Sequence, residues 1–286
     1  MVTVGKYTDN NQNILEYSVL MPTEHSKALV QIVTSSQMPD KNYEVLANTL
    51  TESGIAVFFC PLDLEAEREI TDTEVAEKIL YQASAVRKRY KNLPFFVMGQ
   101  AISSLAVSAA AASNDIYDGM ILVSPDTLGA IGKLGYSKLS KIAAKDPLGY
   151  SEKAKKVITK RAKSVREEIT ADTEVASMKL NNSALLSVAK LLSYVFTAQW
   201  YKDVPKGMST FFASGDFSPF TEFAEGAHRV CNKLDDADMS DIILYVYGDN
   251  VYENVIRDKN ERFSATLVKW ILERAENISN ARRPSF

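Results

Sequence analysis

Few residues in this 286-residue chain are of types that carry chemistry, and their spacing excludes several reactions. There are two histidines, His25 and His228, and two cysteines, Cys60 and Cys231. Histidine is the usual proton shuttle near neutral pH and a frequent metal ligand. His25 follows Pro22, at an edge between the first two expected strands rather than at the carboxyl ends of strands. His228 falls within an expected helix near 221–236, where a solvated position is the plain reading. Cys60 closes the apolar run IAVFFC and reads as a small core side chain; Cys231, beside Arg229 and Lys233, reads as a bystander. Two cysteines are too few for a disulfide framework or a zinc site. No C-x-x-C, H-E-x-x-H or phosphate-cradling glycine loop occurs. Gly129, Gly132 and Gly135 cluster without a βαβ frame and a ribose-binding acid, so they read as a hinge. Neither cofactor nor metal is expected.

The elements that must position any site follow from the hydropathy pattern. The chain is 46% hydrophobic and 24% charged, with nine prolines and twelve glycines, a composition that folds. Its net charge of −3 argues against a general nucleic-acid binder. Residues 14–21, 28–34, 55–60, 93–98, 119–124, 209–214 and 241–247 read as strands, and 42–53, 72–90, 102–113, 221–236 and 260–277 as helices. Gly54 stands where a helix C-cap is expected. Continuous apolar runs such as IAVFFC suit strands covered on both faces. Strand and helix in alternation imply an α/β fold, a mostly parallel sheet with helices on both faces and right-handed crossovers. The first residues show no basic segment leading into an apolar run, and no run reaches the ~18 residues of a membrane span. The expectation is a reduced, cytoplasmic protein.

One stretch breaks the alternation. Residues 127–205 show helical patterns without a strand, which divides the chain into a core, 1–126 and 206–286, and a helical cap inserted in it. Within the cap, 151–169 places Ala154, Val157, Ile158, Ala162 and Val165 on one face and carries seven basic residues against three acidic ones. A solvated charged face is its ordinary meaning, and peripheral contact with anionic lipid or an acidic partner its functional one. The apolar stretch 184–198, interrupted by Lys190, either packs over the sheet or lines a ligand site.

The order of these segments resembles the α/β-hydrolases, in particular the monoacylglycerol lipase and lysophospholipase branch (serine aminopeptidase S33-like). FFVM followed by GQAISSLAVSAA stands where that fold places strand, nucleophile elbow and helix. TSSQMPDKNYEVLA resembles H-G-x-x-E-H-x-x-R-Y, with Thr34 and Ser35 at the His-Gly positions and Tyr43 at the tyrosine. YDGMILVSP resembles the strand leading into the cap, and SGDFSPF the acid-bearing turn S-G-x-x-D-P-V. VYENVIRDKNERFSATLVKWI resembles the closing His-Glu segment and terminal helix, with Trp270 eighteen residues beyond the histidine position.

The resemblance implies a catalytic triad, and the residues at its positions do not supply one. An elbow serine attacks from a strained strand-to-helix turn; here the string is Gly99-Gln100-Ala101-Ile102-Ser103, and a methyl group cannot attack a carbonyl. Ser218 stands at the acid position and Tyr252 at the histidine position. D-H-x-G-H-G, after the third strand, has become Pro61-Leu62-Asp63-Leu64-Glu65-Ala66. Ser103 and Ser104 lie just past the elbow, but a serine without a base in reach is a poor nucleophile. Asp216 is a remaining carboxylate that reads as a helix start, and Glu253 matches a structural glutamate. The expectation is a pseudoenzyme whose pocket, formed by Thr34, Ser35, Gln100, Ala101, Ile102 and Tyr252, binds a small apolar ligand or a protein partner. The alternative is a carboxylic-ester hydrolase with a non-standard site at Ser103 or Ser104; a third reading is an architectural protein with a filled pocket.

Overall fold

The computed structural model describes residues 1–9, 12–35, 40–62, 72–100, 102–123, 208–215, 242–247, 256 and 261–282. Among the described residues, eight strands form one sheet: β1 (Val2–Thr8), β2 (Ile14–Leu20), β3 (Ala28–Ser35), β4 (Ile55–Leu62), β5 (Phe95–Gln100), β6 (Gly119–Val123), β7 (Ser209–Gly215) and β8 (Ile242–Tyr247). Their order is β1-β2-β4-β3-β5-β6-β7-β8. β1 and β2 pair antiparallel, β2 joins β4 antiparallel, and the other contacts are parallel. The described helices are α1 (Glu44–Glu52), α2 (Asp72–Arg89), α3 (Ile102–Ser113) and α4 (Glu261–Ala281).

The alternation of side chains along β3 sorts the core into two layers. Leu29 and Val33 join the cluster formed with α2 and α3, whereas Ala28, Val30 and Ile32 join the one formed with α1 and α4. Every residue of β3, β5 and β6 is buried, which accounts for their apolar runs. α4 contributes Phe263, Leu267, Trp270, Ile271 and Ala275, one helical stripe laid on the sheet. Trp270 meets Phe96 and Phe211 edge-on, at ring-centroid distances of 5.6 and 5.4 Å.

Several boundaries differ from those expected, each for a local reason. β1 was not expected: Val2, Val4, Lys6 and Thr8 face solvent, and its inward side carries only Thr3, Gly5 and Tyr7. The strand exists because it pairs along its whole length with β2. The helix expected from residue 42 starts as a 3-10 turn, Asp40–Tyr43, and becomes α-helical at Glu44. Gly54 ends it with φ +87°, as a C-cap glycine should. β5 begins at Phe95 rather than 93, because Leu93 and Pro94 belong to the incoming turn. It runs on to Gln100, because Gly99 and Gln100 still pair with Leu122 and Val123. α4 continues to Ala281, four residues beyond the expected end. The cap, 127–205, with its 151–169 and 184–198 stretches, and the expected helix 221–236 lie outside the described residues.

One polar residue sits in the middle of the central strand. Gln31 of β3 is fully buried, and its amide donates to the Ile79 carbonyl (3.2 Å) and to Gln82 Oε1 (3.0 Å). Its own oxygen accepts from the buried Tyr117 hydroxyl at 2.6 Å, and Gln82 Nε2 donates to the Phe59 carbonyl at 2.9 Å. The network ties β3, β4, α2 and the segment before β6 together. At the amino end of the sheet Asp118 does a similar service: it accepts from the Phe95 N–H (2.8 Å) and pairs with Arg87 and Arg282. Replacing Gln31 by leucine strands the Tyr117 hydroxyl and the Gln82 amide oxygen. We predict a loss of about 1–3 kcal/mol in urea unfolding; an unchanged midpoint would show the network to be dispensable.

Candidate functional site

The chain leaves β3 toward β4 on one side and leaves β5 toward β6 on the other, with α1 and α3 on opposite faces. The carboxyl ends of β3 and β5 therefore flank the topological switch point, where open α/β sheets hold ligands. The pairing of Val33 with Gly99 sets Thr34 beside Gln100, about one strand spacing (~5 Å) away. Both occupy sheet positions on the α1 and α4 side, by the alternation that runs through Ile32 and Met98. Thr34, Ser35 and Gln100 are all buried.

The bend from β5 into α3 is unusually close. A Cβ on Gly99 would lie 2.4 Å from the Ser103 carbonyl oxygen and 2.7 Å from the Ser104 nitrogen. Glycine is thus required where strand and helix backbones meet. Ser104 fastens the same bend: its hydroxyl lies 2.7 Å from the Gly99 carbonyl and 3.0 Å from the Val123 carbonyl, and its single proton serves one of them at a time. Ser103 is fully buried, and its Oγ has no hydrogen-bond partner among the described residues. The sequence-based candidates Thr34, Ser35, Gln100, Ser103 and Ser104 are brought together here, and α3 opens at Ile102. Ala101, Asp216, Ser218, His228, Cys231, Tyr252 and Glu253 lie outside the described residues.

His25 is elsewhere. It is exposed and precedes β3 by three residues, so the eight-residue length of that strand, ~26 Å, separates it from the carboxyl end. Cys60 lies on the α2 and α3 side, where burial pushes its thiol up to about 12. A thiol held protonated is neither nucleophile nor metal ligand. Among the described residues no three His, Cys, Asp or Glu side chains gather as a metal site would need, and no described helix is long and apolar enough to cross a membrane.

Sequence reasoning gave no role to Asp40. It opens the 3-10 turn before α1, and its Oδ1 accepts a 2.6 Å hydrogen bond from Thr34 Oγ1. Thr34 occupies the position aligned with a histidine, and the only sequence signal was a carboxylate six residues beyond a threonine. Tyr43, three residues on, is fully buried with its hydroxyl unpartnered among the described residues. Burial first, and the Asp40 charge second, raise its phenol above the ordinary range. A separate surface groove of about 580 Å³ runs between α1 and α4, lined by Thr49, Ser53, Val268 and Leu272 among others; none of the crevice residues lines it.

Compared by sequence, the chain matches no protein-family model and no curated protein. Solved structures are similar over nearly its whole length. A highly thermostable carboxyl esterase from Bacillus coagulans, in complex with glycerol, has a TM-score of 0.73 at 16% identity, covering 96% of this chain and 99% of the esterase. A lipase in its open form reaches 0.72 at 16% identity, over 98% of this chain and 100% of the lipase. A soluble variant of monoglyceride lipase from Saccharomyces cerevisiae, with a substrate analogue, reaches 0.60 at 12% identity, over 96% of this chain and 95% of the lipase. Likeness at such low identity speaks for architecture alone, and the architecture is the α/β-hydrolase fold.

Two outcomes follow for the site. Gly99→Ala overfills the bend against backbone that cannot swing aside, so it should cost about 3 kcal/mol, the upper end for overpacking. Ser104→Ala should cost about 1 kcal/mol; equal effects in denaturant titrations would contradict this ordering. The second concerns pH. Cys60, Tyr43 and Tyr117 all hold their protons more tightly in the fold than their ordinary values of 9.0, 10.0 and 10.0 allow, chiefly through burial. Their stabilisation is complete below pH 9 and is lost as pH rises, because the unfolded chain releases those protons first. The urea midpoint should fall between pH 9 and 11, with the onset delayed in Cys60→Ala; a midpoint constant to pH 11 would refute it.

Proposed function

We propose that this is a non-catalytic protein of the α/β-hydrolase fold that holds a small apolar ligand in the crevice at the carboxyl ends of β3 and β5. The observation that carries the reading is the contact of Gly99 with the α3 backbone. It supports a sharp strand-to-helix bend whose connecting residue, Ala101, takes the place of a nucleophile. The resemblance assigns the acid and the base to Ser218 and Tyr252, which cannot perform those roles near neutral pH; a free phenol has a pKa of about 10. Ser104 is committed to backbone carbonyls, which further supports loss of chemistry. The cap expected over 127–205 belongs to the same reading as the cover of the ligand, and a protein partner at that cap is its variant.

The orphaned hydroxyl of Ser103 favours one other reading, an ester hydrolase with a displaced nucleophile. Its complete burial weighs against reaction with a substrate. Incubation with a fluorophosphonate and assay of p-nitrophenyl butyrate hydrolysis separate the two. The proposal expects no adduct and no turnover from the native chain, and none from Ala101→Ser, which restores a hydroxyl without a base. An adduct at Ser103 that disappears in Ser103→Ala, or hydrolysis gained by Ala101→Ser alone, would overturn it.

A further inference from the structure

The outer edge of β1 is open among the described residues, and its two sides differ in chemistry. β1 is the terminal strand of the sheet, beyond β2. The Met21 N–H donates to the Met1 carbonyl (2.7 Å) and the Asp9 N–H to the Asn13 carbonyl (3.1 Å), in the register of the whole pair. Hydrogen-bonded positions alternate along an antiparallel pair, so the odd residues of β1 face β2. The N–H and C=O groups of Val2, Val4, Lys6 and Thr8 therefore point away from the sheet. One side chain meets them: Arg89, in the last turn of α2, donates from Nη1 to the Val4 carbonyl at 3.1 Å. Arg89 comes from the α2 side, where Tyr7 and Tyr17 join the core, and it enters none of the described ion pairs. On the opposite face Val2, Val4 and Ile14 are 57%, 55% and 72% exposed, beside the mutually neutralising Lys6 and Glu16 (3.1 Å). An unpaired edge of this kind is a template for another strand. A second copy paired about the middle of β1 would set two Arg89 side chains roughly two strand spacings (~10 Å) apart, like charge against like. An acidic strand meets the opposite charge instead.

We propose that the outer edge of β1 takes up an extended acidic peptide as a further, antiparallel strand. Directly opposed residues of an antiparallel pair share a face. The peptide residues that hydrogen-bond to Val2, Val4 and Lys6 thus lie on the open face, and apolar side chains belong there. The residues between them lie on the α2 side, under Arg89, and carry the carboxylates. Arg89 blunts the edge while it is empty. On binding it gives up the Val4 carbonyl to a peptide N–H and turns its guanidinium to a carboxylate, a charge-assisted bond in place of a neutral one.

The test is titration of the isotope-labelled full chain, at low salt, with an acetylated and amidated heptapeptide of alternating valine and glutamate, and with its valine–lysine counterpart. The acidic peptide should bind and shift the amide signals of Val2, Val4 and Lys6, and the basic one should bind about tenfold more weakly, attraction at an exposed charge being exchanged for repulsion. N-methylation of every valine should abolish binding of the acidic peptide, and N-methylation of every glutamate should leave it. In Arg89→Ala the two peptides should come within about twofold of each other, and in Arg89→Glu their order should reverse. Each ratio is measured on one protein, so a change in stability does not imitate it. Equal binding of both peptides to the native chain, a preference for the acidic one that survives in Arg89→Glu, loss of binding on glutamate methylation, or no binding at all would overturn the proposal. A dimer of the peptide-free chain that shifts the same β1 amides would give the edge to a second copy and overturn it too. None of these outcomes bears on the ligand-binding reading of the crevice.

Discussion

The contact between the Gly99 backbone and the first turn of α3 is the constraint on which the rest of the sheet's carboxyl end depends. Backbone cannot change rotamer, so a 2.4 Å approach admits hydrogen and nothing larger. Because α3 starts this close to β5, the Ser104 hydroxyl can reach both the Gly99 and the Val123 carbonyls and lock β6 to the bend. Because β5 holds its register with β3, Thr34 comes level with Gln100, and the 3-10 turn that follows β3 delivers Asp40 to Thr34. A bend of this kind is the place where hydrolases expose a nucleophile. In the reading proposed above, the residue at that place is Ala101, which carries no reactive group.

The two faces of the sheet are stabilised differently. On the α1 and α4 side the contact is aromatic and aliphatic, with Phe96, Phe211, Phe263 and Trp270 interleaved. On the α2 and α3 side a chain of hydrogen bonds runs through the apolar layer, from Tyr117 to Gln31 to Gln82 to the Phe59 carbonyl. Apolar contacts tolerate small shifts, whereas hydrogen bonds weaken steeply with misalignment. The network therefore specifies where α2 sits along the sheet more sharply than its aliphatic stripe can.

How far the sequence could be read depended on whether a signal was local. Continuous apolar runs identified β3, β4 and β6, and the 3.6-residue spacing identified α1 and α4, because burial on both faces or on one stripe writes itself into neighbouring residues. β1 left no such mark, since four of its seven side chains face water and its existence depends on pairing with β2. Gly99, two residues before Ala101, was legible as part of an elbow pattern, with Ser104 just past it, but the double reach of the Ser104 hydroxyl was not, as it needs the end of β6 nearby. Asp40 went unread for the same reason: its partner lies on another element, and nothing in Pro39-Asp40-Lys41 announces it. Gln31 could have been noticed as a lone amide in an apolar strand, yet Gln82 and Tyr117, 51 and 86 residues away, could not.

The placement of α4 has an implication for the order in which the molecule can be completed. Its stripe from Phe263 to Ala275 covers, together with α1, one side of the central strands, and Arg282 just past its end pairs with Asp118 at the opposite end from the crevice. Until that helix has been synthesised, Phe96 and Phe211 have no lid, and a nascent chain must carry an uncovered oily surface. The helix thus acts as the closing plank of that layer, and vulnerability to clumping or to proteases should be greatest in the interval before it arrives.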